Sequence, residues 1–217
     1  MIILRQQARF VGSYLTRGAS RGIWKRGQLQ RTRTFGSYST PEYESSLAAA
    51  RARLVEAGFD PASVWEQRIV WGDQDPFQHV NNVRYARFFE SARIKWMLSL
   101  GEEWGGPKKA EAMIRGKGVS LILQDLNIQF RRPVTYPDTL LFGYCPVPPS
   151  PGLELSPKFK VLATCYSLGL QDFAAFSKET LVWYDYDALK KCRPPKEAAD
   201  IVFSRARDID LMTLRKD

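Results

Sequence analysis

The stretch Trp71-Gly72-Asp73-Gln74-Asp75-Pro76-Phe77-Gln78-His79-Val80-Asn81-Asn82 runs through Val83-Arg84 into Tyr85-Ala86-Arg87-Phe88-Phe89-Glu90-Ser91-Ala92-Arg93. It gathers two acids, the only histidine of the chain and two asparagines in a polar segment, then turns apolar with helical spacing. Pro76 excludes helix through the acidic part, and Asn81 or Asn82 can cap the helix beyond it. In that helix Tyr85, Phe88, Phe89, Ala92, Trp96 and Leu100 recur at i, i+3 and i+4, one apolar stripe. Arg84, Arg87, Arg93 and Lys95 lie mostly off it, and Gly101 is expected to stop it, giving a central helix over 82–100. A loop that delivers a carboxylate to a helix N-terminus suits acyl chemistry. Free backbone N–H groups and the positive end of the helix dipole hold a developing oxyanion there.

Outward from this stretch, residues 41–64 read as a helix followed by a turn. Thr40 and Pro41 start it, Glu42 and Glu44 suit its first turn, and Gly58 and Pro61 end it. Gln67–Trp71 reads as a short strand. Beyond the central helix, 119–123 and then 125–130 show strand patterning, closed by Arg131-Arg132-Pro133. Tyr136-Pro137-Asp138 makes a turn before a strand over 139–147. The segment 146–157 holds Pro148-Pro149-Ser150-Pro151-Gly152 and cannot be regular structure. Lys158–Leu170 and Phe173–Tyr186 then form a hairpin turning near Gln171-Asp172. One strand, one long helix and four or five further strands predict an α+β fold, a curved antiparallel sheet of about five or six strands wrapped around that helix.

The chain of 217 residues carries a formal net charge of +9, and its location matters more than its size. Residues 1–41 hold seven Arg and Lys25 with no acid before Glu42, which leaves 24 basic against 23 acidic residues in the remainder. The basicity belongs to the leader, so the body is not read as a nucleic-acid binder. That leader is rich in Arg, Ser, Thr and Gly and opens with the amphipathic run Met1–Val11, the composition of a mitochondrial targeting peptide. Arg33-Thr34-Phe35-Gly36-Ser37 resembles a processing site, which predicts a mature start near 36 and a matrix location; the competing reading is a basic arm for RNA or anionic lipid. No apolar run approaches the roughly 20 residues of a membrane span. Cys145, Cys165 and Cys192 lack paired or metal-like spacing, so they read as packing or surface thiols, and neither a metal site nor a cofactor is expected.

The acidic stretch, with His79-Val80-Asn81-Asn82 before a helix carrying Tyr85 and Glu90-Ser91-Ala92-Arg93, resembles the hotdog-fold acyl-CoA thioesterases of the 4-hydroxybenzoyl-CoA thioesterase type. Arg131-Arg132-Pro133-Val134-Thr135-Tyr136-Pro137-Asp138-Thr139-Leu140 resembles a strand connection of that family. The likeness spans about residues 65–187. With the leader read from composition and the N-terminal helix from its start and stop signals, the chain divides into a targeting peptide (1–35), a helical extension (36–64), a hotdog domain (65–187) and a charged tail (188–217). The likeness further implies hydrolysis of an acyl-CoA to free acid and CoA by a homodimer or dimer of dimers.

By this resemblance Asp75 is the nucleophile or the general base for water, and the backbone N–H of Asn82 or its neighbour polarises the thioester carbonyl. A thiolate with a pKa near 8.5 leaves readily, so one carboxylate and an oxyanion site suffice. His79 is expected chiefly to shape the loop. Asn81 and Asn82 are helix caps first and substrate contacts second. Asp73 reads as a loop-bracing acid. Glu90 has a counterpart role in another hotdog branch, whose helix glutamate is catalytic, but its spacing from Arg93 predicts an intrahelical ion pair. Arg131 and Arg132 either meet CoA phosphates or are solvated strand-end charges. Gln78 stands where the family usually has Gly; at positive φ it costs about 1 kcal/mol. That departure keeps open a non-catalytic hotdog subunit or assembly factor of a mitochondrial complex such as the ribosome. A dehydratase on the same fold fits less well, because its usual His/acid signature is missing. Trp71, Phe88, Phe89 and Trp96 either line an acyl pocket or fill the core.

Overall fold

The computed structural model describes residues 40–211, 213 and 214. The expected targeting segment 1–35 and its processing site lie outside the described residues. The first element is α1 (Pro41–Glu56), which begins as its sequence predicts. The Thr40 side chain accepts the Tyr43 N–H, Pro41 occupies the first turn, and Gly58 at φ 94 turns the chain away. A 3₁₀ turn at Pro61–Ser63 leads into β1 (Trp65–Ile69). This strand sits two residues earlier than expected. Asp73 is the reason: its Oδ2 accepts the Val70 N–H at 2.9 Å and draws Trp71–Asp73 into a second 3₁₀ turn.

The central element, α2 (Asn82–Ile114), continues past Gly101. Gly105 (φ −164, ψ 22) and Gly106 (φ 74, ψ −170) break it instead, and Pro107 opens the second arm. Gly101 serves packing. A Cβ there would stand 2.5 Å from Ala110 Cα, so only glycine lets the second arm fold back so closely on the first. The helical cost of that glycine, about 1 kcal/mol, is tolerated within a packed helix and does not end it.

Four long strands come next: β2 (Val119–Phe130), β3 (Asp138–Pro146), β4 (Lys158–Ser167) and β5 (Asp172–Asp185), with a two-residue β6 (Lys190–Lys191). All pair antiparallel in the order β1-β3-β4-β5-β2, with β6 on β5. The two runs read separately as 119–123 and 125–130 are one strand, whose register slips between Leu123 and Asp125. The extra residue bends the strand, as a β-bulge does. The sheet curls around the first arm of α2: this is the hotdog arrangement, and the α+β fold expected from the sequence.

The sheet is covered on both faces. On the concave side Phe88, Phe89, Ala92, Trp96 and Leu100 of α2 pack on Leu140, Phe142, Tyr144, Val161, Ala163 and Leu181. Phe88, Phe89 and Trp96 are therefore core, whereas Trp71 is 75% exposed. On the outer side Leu47, Ala50 and Leu54 of α1 pack with Phe59 on Leu141, Cys145, Phe173 and Phe176. Residues of β3 thus divide alternately between two cores, as the period of two requires. Gly143 marks the closest approach of the outer layer, since a Cβ there would meet Phe59 Cβ at 3.0 Å. The segment expected as a charged tail contains α3 (Lys196–Ser204), whose Ala198 and Val202 join the concave core. Arg205 pins the chain just beyond α3, donating to Asp60 Oδ2 at 3.0 Å and Ser99 Oγ at 2.7 Å. Cys145 and Cys165 are buried free thiols, and burial raises the pKa of both, Cys145 to about 11. Among the described residues no helix is long and apolar enough to cross a membrane.

Candidate active site

The chain between β1 and α2 is held by hydrogen bonds at nearly every residue. Asp73 is buried; besides holding Val70, its Oδ1 lies 3.5 Å from Arg84 Nε, and its carbonyl accepts the Asn81 N–H at 2.9 Å. It is the brace its sequence context suggested. The Asp75 N–H donates to the His79 carbonyl and the Gln78 N–H to the Asp75 carbonyl, both at 2.9 Å, so residues 75–79 close on themselves. Gln78 adopts φ 62, the left-handed conformation for which glycine is suited. The loop is pinned from the far side as well. Gln74 Oε1 accepts the Tyr136 N–H at 3.0 Å, and the Val80 N–H donates to the Val134 carbonyl at 2.8 Å.

Asp75 is half-buried, and its Oδ1 accepts the Phe77 N–H at 2.9 Å. No hydrogen bond engages Oδ2 among the described residues. One carboxylate oxygen is therefore fixed while the other stays open. At the start of α2, Asn81 is the N-cap: its Oδ1 accepts the Val83 N–H at 3.0 Å. Asn82 is the first helical residue, and among the described residues its N–H has no acceptor. An unoccupied N–H at the positive end of a long helix is what a developing oxyanion needs.

These groups face a pocket of about 490 Å³ between the loop, the first turn of α2 and the chain after β2. Asp75, His79, Asn82, Arg131 and Arg132 all line it, five of the seven residues singled out from the sequence. Phe77, Val80, Phe130, Pro133 and Val134 supply apolar walls. His79 is exposed and acts on the loop through its carbonyl. Arg132 is tied to Asp172 by Nε–Oδ2 at 3.2 Å, while no ion pair holds Arg131 among the described residues. Two expected residues lie outside the lining: Asn81, whose side chain caps the helix, and Glu90. The expected Glu90–Arg93 ion pair is not formed. Glu90 is exposed and faces Arg87 at 3.7 Å, whereas Arg93 turns inward and pairs with Glu179 of β5 at 2.8 Å. Helical spacing permits the first pairing, but Arg93 lies on the buried stripe and follows it into the core.

Two features escaped the sequence reading. The Arg93–Glu179 pair is buried, and the Tyr144 hydroxyl stands 2.7 Å from Glu179 Oε1 and 2.8 Å from the Phe89 carbonyl. This polar knot ties α2 to β3 and β5. Burial lifts the Glu179 pKa above its ordinary value, against the pull of Arg93. The second is Tyr85, which the sequence reading placed in the apolar stripe and in the family resemblance but gave no role in the site. It is 2% exposed yet lines the pocket, and no hydrogen bond engages its hydroxyl among the described residues. A lone tyrosine on a helix gives no sequence signal that separates packing from contact. Among the described residues no cluster of three His, Cys, Asp or Glu is placed to hold a metal ion.

The family described as the thioesterase-like superfamily matches residues 69–202. No curated protein matches the chain. Among solved structures, the PA5185 protein from Pseudomonas aeruginosa is 18% identical, with 68% of this chain and 93% of that one covered and a TM-score of 0.55. The hypothetical protein SAV2348 from Staphylococcus aureus, solved in complex with CoA, is 10% identical over 68% of this chain and 87% of that one, with a TM-score of 0.54. The 1,4-dihydroxy-2-naphthoyl-CoA thioesterase from Synechocystis is 16% identical over 64% and 93%, with a TM-score of 0.50. At these identities the likeness is one of fold.

Proposed function

Since the chain belongs to the thioesterase-like superfamily, we propose that it hydrolyses an acyl-CoA thioester to the free acid and CoA, as a mitochondrial enzyme of the 4-hydroxybenzoyl-CoA thioesterase type. The observation that carries this reading is the pairing, in one pocket, of an open Asp75 Oδ2 with the unoccupied Asn82 N–H. The thioester carbonyl oxygen accepts the Asn82 N–H, and charge that builds on it is stabilised by the helix dipole. Asp75 then acts in one of two balanced ways. As nucleophile, its Oδ2 forms a bond to the carbonyl carbon, the C–S bond breaks, and CoA leaves as thiolate; water then cleaves the mixed anhydride. As general base, it takes a proton from water while the hydroxide attacks, and the same C–S bond breaks.

Arg131 and Arg132 at the pocket wall are suited to the phosphates of CoA, as fork-shaped cations of fixed charge. A homodimer belongs to the same reading. The 12-residue strand β2 lies at the edge of the sheet, paired on one side by β5, and its last residue, Phe130, lines the pocket while 44% exposed. Pairing of two such edges places a second copy beside each site.

The test is thiol release from short, long and aromatic acyl-CoAs by the chain from Gly36 and by its Asp75→Asn variant. Release by the parent, and a loss of a hundredfold or more in the variant with fold intact, is the expected result. An active Asp75→Asn variant removes Asp75 from the mechanism. Silence from both proteins across the panel replaces the enzyme with a non-catalytic hotdog subunit, a reading that the strained Gln78 also allows.

A further inference from the structure

Resting on the thioesterase reading, we propose that Gln74 is a positioning residue for the reaction: its side chain, clamped to the far wall of the pocket, sets the aim of the Asp75 carboxylate. Gln74 is not among the residues that line the pocket, so it acts through its neighbour and not on the substrate.

The turn that carries Asp75 fixes its own shape but not its tilt over the pocket. The Asp75 N–H bonds the His79 carbonyl, the Gln78 N–H bonds the Asp75 carbonyl, and the Asp75 Oδ1 accepts the Phe77 N–H; all three bonds lie within residues 75–79. Placement comes from bonds that leave the turn. Two of them cross to the segment after β2, one at each end of the turn. At the exit the Val80 N–H donates to the Val134 carbonyl at 2.8 Å, and at the entry Gln74 Oε1 accepts the Tyr136 N–H at 3.0 Å. Gln74 and Val80 themselves face each other as an antiparallel bridge. The exit clamp is main chain only, so the entry clamp is the one a side chain controls. Gln74 is also extended (φ −81, ψ 151), a conformation in which successive side chains point opposite ways from one chain axis. Rotation about that axis moves both, so pinning the Gln74 amide pins the direction of the Asp75 carboxylate. The far wall reached in this way holds Arg131, Arg132 and Val134, so the clamp sets Asp75 relative to the groups proposed to hold CoA. A near-attack geometry depends on that relation to within about an ångström. The main-chain bonds at Val80 and between the Asn81 N–H and the Asp73 carbonyl keep the base of the loop in place without Gln74.

The experiment measures kcat, KM and melting temperature for the full chain and its Gln74→Met and Gln74→Glu variants, with the acyl-CoA the parent turns over best, at about pH 8, where carboxylates are ionised. Met keeps the length of the side chain and removes the oxygen; Glu keeps an oxygen that accepts the Tyr136 N–H. The expected result is a loss of about tenfold or more in kcat for Gln74→Met with KM within about twofold, and a kcat within about threefold of the parent for Gln74→Glu. An unchanged kcat in Gln74→Met, whatever its melting temperature, marks a hydrogen bond that serves the fold alone and overturns the proposal. Equal losses in the two variants overturn it as well. Both of these outcomes leave the thioesterase standing, whereas a parent silent with every acyl-CoA removes that reading and this one with it.

Discussion

Replacing Arg93 by Met isolates one interaction whose consequences can be worked out in sign and size. The Arg93 side chain is 9% exposed and Glu179 is fully buried, and their Nη1–Oε2 distance is 2.8 Å. Met fills much of the same volume but leaves the carboxylate alone in a low-dielectric core. Breaking a buried pair from one side costs about 3–5 kcal/mol near neutral pH, a large part of a domain's usual 5–15 kcal/mol. At roughly 2–4 °C per kcal/mol for a domain of this size, the melting temperature falls by something on the order of 10 °C. The loss is pH-dependent. Burial already holds the Glu179 pKa above the ordinary glutamate value, and removing Arg93 raises it further. The folded variant then binds a proton that the unfolded chain has released. Its stability therefore falls as pH rises from the unfolded value toward the raised folded one, by up to about 1.4 kcal/mol per unit. The Tyr144 hydroxyl, which donates to Glu179 Oε1 at 2.7 Å, favours the ionised form and tempers this rise in pKa without reversing it. Urea melts at about pH 5.5 and about pH 7.5 should show a larger deficit at the higher pH. Adding Glu179→Met should recover most of it, because two apolar groups leave no charge stranded. A deficit below about 1 kcal/mol, or one that shrinks as pH rises, refutes the reasoning.

Three other outcomes can be stated. Gln78→Gly should not lower stability, because the φ of 62 removes the usual advantage of a side chain, whereas β-branched Gln78→Val should lose about 1 kcal/mol or more in thermal melts; a Gly variant clearly weaker than the parent would falsify the strain argument. Arg131→Ala should raise the KM for acyl-CoA by about three- to tenfold, more than Arg132→Ala does, because Arg132 already spends part of its charge on Asp172; equal effects at both positions, or none, argue against phosphate contact. Deleting residues 1–35 should abolish import into isolated mitochondria, and uptake of the shortened chain removes the targeting role.

Where local chemistry decides the structure, the sequence was readable. Pro76, the asparagine cap and the apolar stripe from Tyr85 to Leu100 place the loop and the start of α2, and with them Asp75, Asn82 and the pocket between them. Helix ends depend on rivals further along. Gly101 looked like a stop, but Gly105-Gly106-Pro107 is the stronger break, and Gly101 is needed where Ala110 approaches. Side-chain partners were the least visible. Arg93 had Glu90 within reach on the helix surface, yet its real partner lies 86 residues away on β5. Nothing local announces a charge that goes inward. Tyr85 was legible as a packing residue and illegible as a pocket residue, because the two roles share one spacing.

The outer layer changes what β3 can tolerate. A strand in a curled sheet over one helix normally has a forgiving side, where water accepts nearly any residue. Here α1 and Phe59 close that side, and every position from Thr139 to Pro146 is buried. The strand has lost its binary code. Its composition, Thr-Leu-Leu-Phe-Gly-Tyr-Cys-Pro, reads as a continuous apolar run, and a charge introduced at odd or even positions meets an interior in either case. Variation in this chain should accordingly collect on the 147–157 loop, and leave β3 as an eight-residue stretch intolerant on both sides.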